Sequence, residues 1–157
     1  MISTRVYLVA ACTLIALLAA ACSSGDDSSK QLRIGSLSFN DHGTKDATGK
    51  ASLEFEVDSY YFSPSFIKGS AGQKLTLTIG NDSGDTHNFS LPGTSVSQDI
   101  PAKGKAQIDI TFPQSGVAQF LCKYHTGQGM NGQLLVGNAT PQPASLALIA
   151  TRPAQSI

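Results

Sequence analysis

The sequence predicts an all-β protein, a Greek-key sandwich of two sheets with seven or eight strands. The 157 residues include 15 Gly and 7 Pro, the residue types that most often form turns. Apolar and polar residues alternate over 53–57, 75–79 and 106–110, which is the pattern of a strand with one buried face. Turn residues separate these short segments, and this spacing is typical of sandwiches.

The remaining elements follow from the same two signals. Residues 31–50 are predicted to form one edge strand, over 32–39, and an irregular polar loop. The main domain is expected at 51–137, with further strands at 86–91, 117–121 and 134–136. Residues 138–157 contain three prolines, and we expect them to form a loose tail.

The N-terminus has the pattern of an export signal. Arg5 precedes an uncharged apolar run over 6–21, and Cys22 opens a polar stretch over 22–30 that is too hydrophilic to fold alone. This arrangement resembles a bacterial lipoprotein signal, although Ala19 stands where Leu is commonest. The resemblance implies that residues 1–21 are removed, that Cys22 is acylated, and that the protein is anchored on the extracytoplasmic side of the cell membrane.

Two alternatives to this lipoprotein signal remain open. The apolar run could be an uncleaved membrane anchor or an ordinary secretion signal, because short apolar runs are ambiguous. Cys12 also follows two alanines, but cleavage there would leave a very short hydrophobic region. We therefore favour Cys22.

The charge balance argues against nucleic acid as a partner. The chain has eleven basic and eleven acidic residues, and the basic residues form no continuous run. Removing residues 1–21 deletes Arg5, so ten basic and eleven acidic residues remain and the net charge becomes −1. A polyanion would find no excess of positive charge to bind.

Three metal-ligand side chains are close together near the end of the main domain. Cys122, His125 and Met130 follow a C-x2-H-x4-M spacing, with glycines between the last two. A thiolate, an imidazole and a thioether suit copper in both oxidation states, whereas zinc rarely binds Met. The glycines allow the backbone to bend around one ion. The segment therefore predicts a copper site.

A second imidazole would complete the trigonal His2Cys arrangement that copper prefers with a weak axial Met. His87 is the stronger candidate, because it begins a predicted strand 35 residues before Cys122. His42 is the competitor, but it lies in a polar loop before the main domain. We expect His42 to be exposed to solvent.

The segment Asp85-Thr86-His87-Asn88-Phe89 and the segment 125–132 together resemble a cupredoxin of the plastocyanin and pseudoazurin type. Thr86 stands where plastocyanin has a proline, and the resemblance covers about 51–137. It implies one mononuclear type 1 copper held by His87, Cys122, His125 and Met130. It also implies that the Asn88 side chain ties the two ligand-bearing loops together, and that the protein transfers single electrons.

This resemblance implies a carrier that is not an enzyme, because four protein ligands leave no obvious open position for a substrate. A Cys-His nucleophile pair would need a third orienting group, and none is evident. A binuclear copper centre would need a second cysteine near Cys122, and the sequence has none there. A lone buried Cys or Met more often simply fills a core. The main rival is a copper carrier or buffer that delivers the metal to another protein.

The expected partners are transient redox donor and acceptor proteins, and the protein is expected to be a monomer. Electrons are expected to pass through the exposed edge of His125, whose neighbours Thr126, Gly127 and Gly129 are small. Tyr124, beside Cys122, is the next candidate route. Lys103, Lys105 and Lys123 have no matching cluster of one sign, so docking is expected to be mainly apolar.

Overall fold

A computed structural model describes residues 30–143, which form twelve β-strands and one 3-10 turn, Thr126–Gln128. The strands are β1 (Lys30–Ile34), β2 (Leu37–Asp41), β3 (Thr44–Asp46), β4 (Ser52–Asp58), β5 (Tyr61–Ser63), β6 (Phe66–Gly69), β7 (Lys74–Asn81), β8 (His87–Ser90), β9 (Ser97–Ile100), β10 (Lys105–Thr111), β11 (Val117–Leu121) and β12 (Asn131–Val136). The predicted all-β class is confirmed. The count exceeds seven or eight because several strands have only three to five residues, too few to show an alternation.

Two sheets form the sandwich. One has four strands in the order β10-β7-β4-β5, and the other has six in the order β3-β6-β12-β11-β8-β9. Several neighbours are distant along the chain, such as the parallel pairs β4–β7 and β12–β6. The two-sheet architecture is therefore built by long-range pairing, as in other sandwiches.

The alternating segments bury their apolar faces between the sheets. β4 buries every second residue, and β7 and β10 follow the same pattern. The core between the sheets contains a cluster of four phenylalanine rings with centroids 5.0 to 6.0 Å apart: Phe55, Phe62, Phe89 and Phe120. This packing holds β8 and β11 against the rest of the domain. β8 begins with His87, and β11 ends one residue before Cys122.

The prediction of a single edge strand over 32–39 is wrong, because this segment contains parts of two strands. Gly35 has φ +63° and begins a two-residue turn, so the segment is the hairpin β1–β2. Gly35 could have revealed the turn in the sequence, because glycine readily adopts the positive φ that tight hairpin turns need. Phe39 of this hairpin stacks on Phe66 at 5.8 Å in a second, smaller apolar cluster. β3 pairs with β6 at the sheet edge, so packing extends N-terminal of residue 51.

The beginning of the predicted tail is docked. The buried Gln133 side chain donates to the Gln142 carbonyl at 2.6 Å and accepts from the Gln142 N–H at 3.2 Å. Residues 144–157, like the predicted signal and Cys22, lie outside the described residues. No helix in the part of the chain that is described has the length and apolar character to cross a membrane.

Candidate metal centre

Three neighbouring strands bring the predicted ligands to one end of the six-stranded sheet. His87 is the first residue of β8, Cys122 follows the last residue of β11, and Met130 precedes the first residue of β12. β11 lies between the other two strands. Leu121 pairs with Ser90 on one side and with Asn131 on the other, so the strand ends are in register at this point.

The donor atoms converge. His87 Nδ1 and His125 Nδ1 are 3.1 Å apart, and Cys122 Sγ lies 3.5 Å from His125 Nδ1. The ligand atoms of these three residues all lie within 4.8 Å of one another. Met130 is buried in the same core cluster as Cys122. The structure therefore brings His87, Cys122 and His125 together, and it places the backbone of Met130 next to that of Cys122.

The loop that carries His125 is shaped by its own backbone, and we call residues 122–130 the ligand loop. The Cys122 N–H donates to the Met130 carbonyl at 3.1 Å, and the His125 N–H donates to the Cys122 carbonyl at 3.1 Å. The Met130 N–H returns to the His125 carbonyl at 3.3 Å. Gly129 has φ +90°, a conformation that glycine adopts at no steric cost. The loop thus closes on itself around the donor atoms.

Burial separates one ligand candidate from the others. His87, Cys122 and Met130 are 0% exposed, whereas His125 is partly exposed. Burial, and then the neighbouring His125, lower the pKa of His87. A neutral imidazole keeps a lone pair for a metal, so this shift favours ligation at neutral pH.

The predicted tie through Asn88 takes an indirect route. The Asn88 Nδ2 group donates to Asp99 Oδ1 at 2.8 Å, on the neighbouring strand β9. Asp99 in turn accepts from the Tyr124 hydroxyl at 2.9 Å and lies 2.8 Å from Lys123 Nζ. Asp99 therefore connects the strand that carries His87 to the ligand loop.

Charge reinforces this connection. Hydrogen bonds from Lys123, Asn88 and Tyr124 lower the pKa of Asp99 to about 2. The hydrogen bond to Asp99 raises the pKa of Lys123. The carboxylate is thus ionised over the whole physiological range. Sequence reasoning missed Asp99 because it lies between the predicted strands over 86–91 and 106–110, with no motif around it.

A second missed neighbour is Tyr60. Its ring centroid lies 4.8 Å from that of His125, with the planes tilted by 58°. Tyr60 has φ +68° in the turn between β4 and β5, where a non-glycine residue is uncommon. The Tyr60 ring therefore packs against the His125 imidazole.

His42 takes no part in the cluster that the described residues form. Its ring stacks on Tyr61 with centroids 3.6 Å apart, and it lines a groove with Glu54 and Lys105. Its partial burial differs from the expected exposure to solvent.

Copper is the cofactor that fits this donor set. Two imidazoles and a thiol converge, Met130 is buried in the same core cluster as the thiol, and no other part of the described chain groups three such donors. A trigonal His2Cys set with a soft axial sulfur is the arrangement that copper proteins use for electron transfer.

Comparison with known proteins agrees with this fit. The family model for the cupredoxin-like domain matches residues 11–136. No protein with a curated description matches the sequence. Among solved structures, the metal-binding domain of the Cu(I)-exporting P-type ATPase CopA of Streptococcus pneumoniae D39 with Cu(I) is similar, with 14% identity, a TM-score of 0.50, and coverage of 61% of this chain and 97% of that one.

Two auracyanins are also similar in structure. Reduced auracyanin from Roseiflexus castenholzii is 19% identical with a TM-score of 0.49, over 56% of this chain and 98% of that one. Auracyanin A, a "blue" copper protein from Chloroflexus aurantiacus, is 18% identical with a TM-score of 0.47, over 60% and 100%. At these identities the structural matches speak to the fold alone.

Proposed function

Because this chain belongs to the cupredoxin-like domain family, we propose that it is a blue copper protein that carries single electrons between redox partners. His87, Cys122 and His125 would be the equatorial ligands, and Met130 the axial one. One observation carries the proposal: the two imidazoles and the thiol converge within 4.8 Å, and three of the four donor residues are fully buried.

The burial of the donors supports electron transfer over metal delivery. Copper, when bound, supplies a one-electron change between Cu(II) and Cu(I). The strands β8, β11 and β12 hold the donor residues in place, so the ligands would rearrange little when the charge changes. Cys122 and Met130 are sealed from solvent, so an acceptor protein has no direct access to either sulfur. A delivery protein would need such access.

The same arrangement supports a role as a carrier that is not an enzyme. Four protein donors leave no obvious coordination position for a substrate. The single partly exposed candidate, His125, offers an edge through which an electron could pass without displacement of a ligand. Its exposed neighbours Gly127 and Gln128 leave room for a partner surface.

Copper titration of the purified protein tests the proposal. We expect an intense visible thiolate-to-copper absorption that Cys122→Ser abolishes, because the sulfur is the source of the transition. Cys22→Ser is the matched control and should retain the band. A band that survives in Cys122→Ser would contradict the ligand assignment.

Voltammetry then separates electron transfer from delivery. An electron carrier should cycle reversibly and keep its copper in the presence of a Cu(I) chelator. Rapid loss of Cu(I) to the chelator would instead support the copper-delivery role.

The location that we propose is the extracytoplasmic side of the cell membrane, with attachment through acylated Cys22. The support is the apolar run, the small residues before Cys22 and the polar stretch after it. Two or more acyl chains give stable attachment, whereas one gives only marginal binding. Cys22→Ala should move the protein out of the membrane fraction or leave an unprocessed precursor, and unchanged lipid labelling would contradict the anchor.

A further inference from the structure

The N-terminal hairpin β1–β2 touches the ligand loop directly. The backbone N–H of Asn40, in β2, donates to the Gly129 carbonyl at 3.0 Å. The side-chain Nδ2 of Asn40 donates to the Gln128 carbonyl at 2.9 Å and to the Tyr60 carbonyl at 2.9 Å. One residue thus joins the hairpin, the ligand loop and the turn that carries the ring packed on His125.

A second contact lies on the other side of Met130. Asn131, which is buried, donates through Nδ2 to the Ser38 carbonyl of β2 at 2.8 Å and to the Thr126 carbonyl at 3.1 Å. The residues before and after Met130 are therefore both bonded to the same strand of the hairpin. Contacts with β2 thus fix the backbone on both sides of Met130.

The fit around Gly129 is close. A Cβ atom at Gly129 would come within 2.9 Å of Asn40 Oδ1. Real Cβ atoms do not approach other atoms this closely, so the backbone of the ligand loop is pressed against the Asn40 side chain. Glycine at position 129 therefore meets two requirements: it adopts the positive φ of the loop, and it leaves space for the Asn40 side chain.

The hairpin is itself anchored to the domain. Phe39, adjacent to Asn40, is 0% exposed and packs with Phe66 and Leu135. The buried Ser65 hydroxyl donates to the Asn40 carbonyl at 2.9 Å. A residue held from both sides in this way can fix the position of whatever it bonds.

We propose that the hairpin clamps the ligand loop, and that Asn40 is a positioning residue that sets where the Met130 thioether lies relative to the other three donors. The proposal rests on the proposed function for the identity of the metal. The clamp itself concerns only this chain's residues, so it can be tested with and without copper. It gives a role to residues 30–41, which the sequence left without one.

The test compares Asn40→Ala with Gln31→Ala. Gln31 is exposed and pairs with Asn40 across the hairpin, so its truncation removes an amide from the same register position away from the ligand loop. In the copper-free protein we expect the amide hydrogens of Gly129 and Met130 to exchange about tenfold faster in Asn40→Ala, the ratio that corresponds to losing about one or two ordinary hydrogen bonds. Amides of β7 and β10 report global opening and should not change.

The copper-loaded protein gives the second readout. The ratio of the visible bands and the electron paramagnetic resonance signal depend on the axial ligand, so both should change in Asn40→Ala and remain as wild type in Gln31→Ala. Asn40→Asp keeps the side chain's size but removes its donors, and it replaces the alanine variant if that variant does not fold.

The outcomes separate the clamp from the proposed function. Unchanged exchange at Gly129 and Met130, or equal acceleration at β7 and β10, would overturn the clamp. A wild-type protein that fails to give the blue band would overturn the proposed function, while the exchange experiment would still decide the clamp. A shifted spectrum together with local acceleration would support both.

Discussion

Asp99 joins the two segments that carry the candidate ligands. Its carboxylate accepts from Asn88 and Tyr124 and pairs with Lys123. β8 and β11 share a single register pair, Leu121 with Ser90, so few backbone bonds are available between them near the site. The side-chain contacts of Asp99 supply the connection that the sheet does not.

We therefore expect Asp99→Asn to destabilise the copper-free protein at pH 7, by an amount that shrinks in acid. The pKa of Asp99 is about 2 in the folded protein, below the ordinary value of 3.8. A lowered folded pKa contributes stability in full above the unfolded value, and the contribution is lost as the pH falls from about 4 towards 2. Urea unfolding of both proteins between pH 7 and pH 2.5 measures the difference.

Asp109→Asn is the control for this measurement. Asp109 is an exposed carboxylate on the four-stranded sheet, away from the site, and it accepts a hydrogen bond from Thr76 of the neighbouring strand. The control substitution should cost less at pH 7 than Asp99→Asn. A difference between wild type and Asp99→Asn that stays constant down to pH 2.5 would contradict the role of the ionised carboxylate.

At this scale the sequence predicted the residues that share a local motif and missed those that do not. Cys122, His125 and Met130 lie within nine positions, so their chemistry can be read without the fold. Asn40 bonds to residues 20 and 88 positions away, and no local pattern marks such a contact. The same reason explains why the resemblance implied a tie through Asn88 but not the part that Asp99 has in it.

Among the elements, β11 and β12 depend on an unusual pair. Phe120 lies opposite Gly132 in the antiparallel register, and the phenylalanine ring covers the glycine. A Cβ atom at Gly132 would overlap the Phe120 ring and come within 2.5 Å of the Ser65 carbonyl oxygen. Glycine is needed here for space and not for its φ angle.

Gly132→Ala should therefore destabilise the protein by about 1–3 kcal/mol, the usual cost of overpacking a filled core. Thermal or urea unfolding of the copper-free protein measures it. Gly80→Ala in β7 is the matched control, since a Cβ atom there would meet nothing within 4 Å. That variant should change stability by less than about 1 kcal/mol, in the stabilising direction. Equal effects of the two substitutions would contradict the steric argument.

The strands that sequence reasoning placed well are those with one buried face. β4, β7 and β10 alternate because each lies between solvent and the core. β12 is buried over five of its six residues, so its first half carries no alternation and only its end was predicted. β3 is exposed at all three positions and exists only because it pairs with β6, a tertiary effect that local sequence does not encode.

For the molecule as a whole, the near-neutral charge and the partial exposure of His125 bear on docking. Eleven acidic residues match eleven basic ones, and Lys123, close to the site, is already paired with Asp99. A partner protein would gain little from long-range attraction. Under the proposed function, contact with the surface around His125 would therefore supply most of the recognition.

Gly127→Glu should slow electron transfer to a redox partner several-fold while the visible spectrum of the copper-loaded protein stays nearly unchanged. Gly127 is exposed and a Cβ atom there would meet nothing within 4 Å, so the new carboxylate should obstruct the partner and leave the ligand loop intact. Stopped-flow mixing with a redox partner measures the rate.

Thr111→Glu, exposed on the other sheet, adds the same charge away from the site and should leave the rate within error. Equal rates for Gly127→Glu and wild type would place the exit elsewhere, with the exposed Tyr124 as the next route to examine.

If the protein carries electrons as proposed, the burial of His87, Cys122 and Met130 and the partial exposure of His125 limit the order in which redox partners can bind. If electrons both enter and leave at the His125 edge, the donor and the acceptor must occupy the same patch in turn, and no ternary complex can form. Each partner then competes with the other. Turnover should fall when either partner is in large excess, so the ratio of donor to acceptor in the cell would govern the flux as strongly as the driving force does.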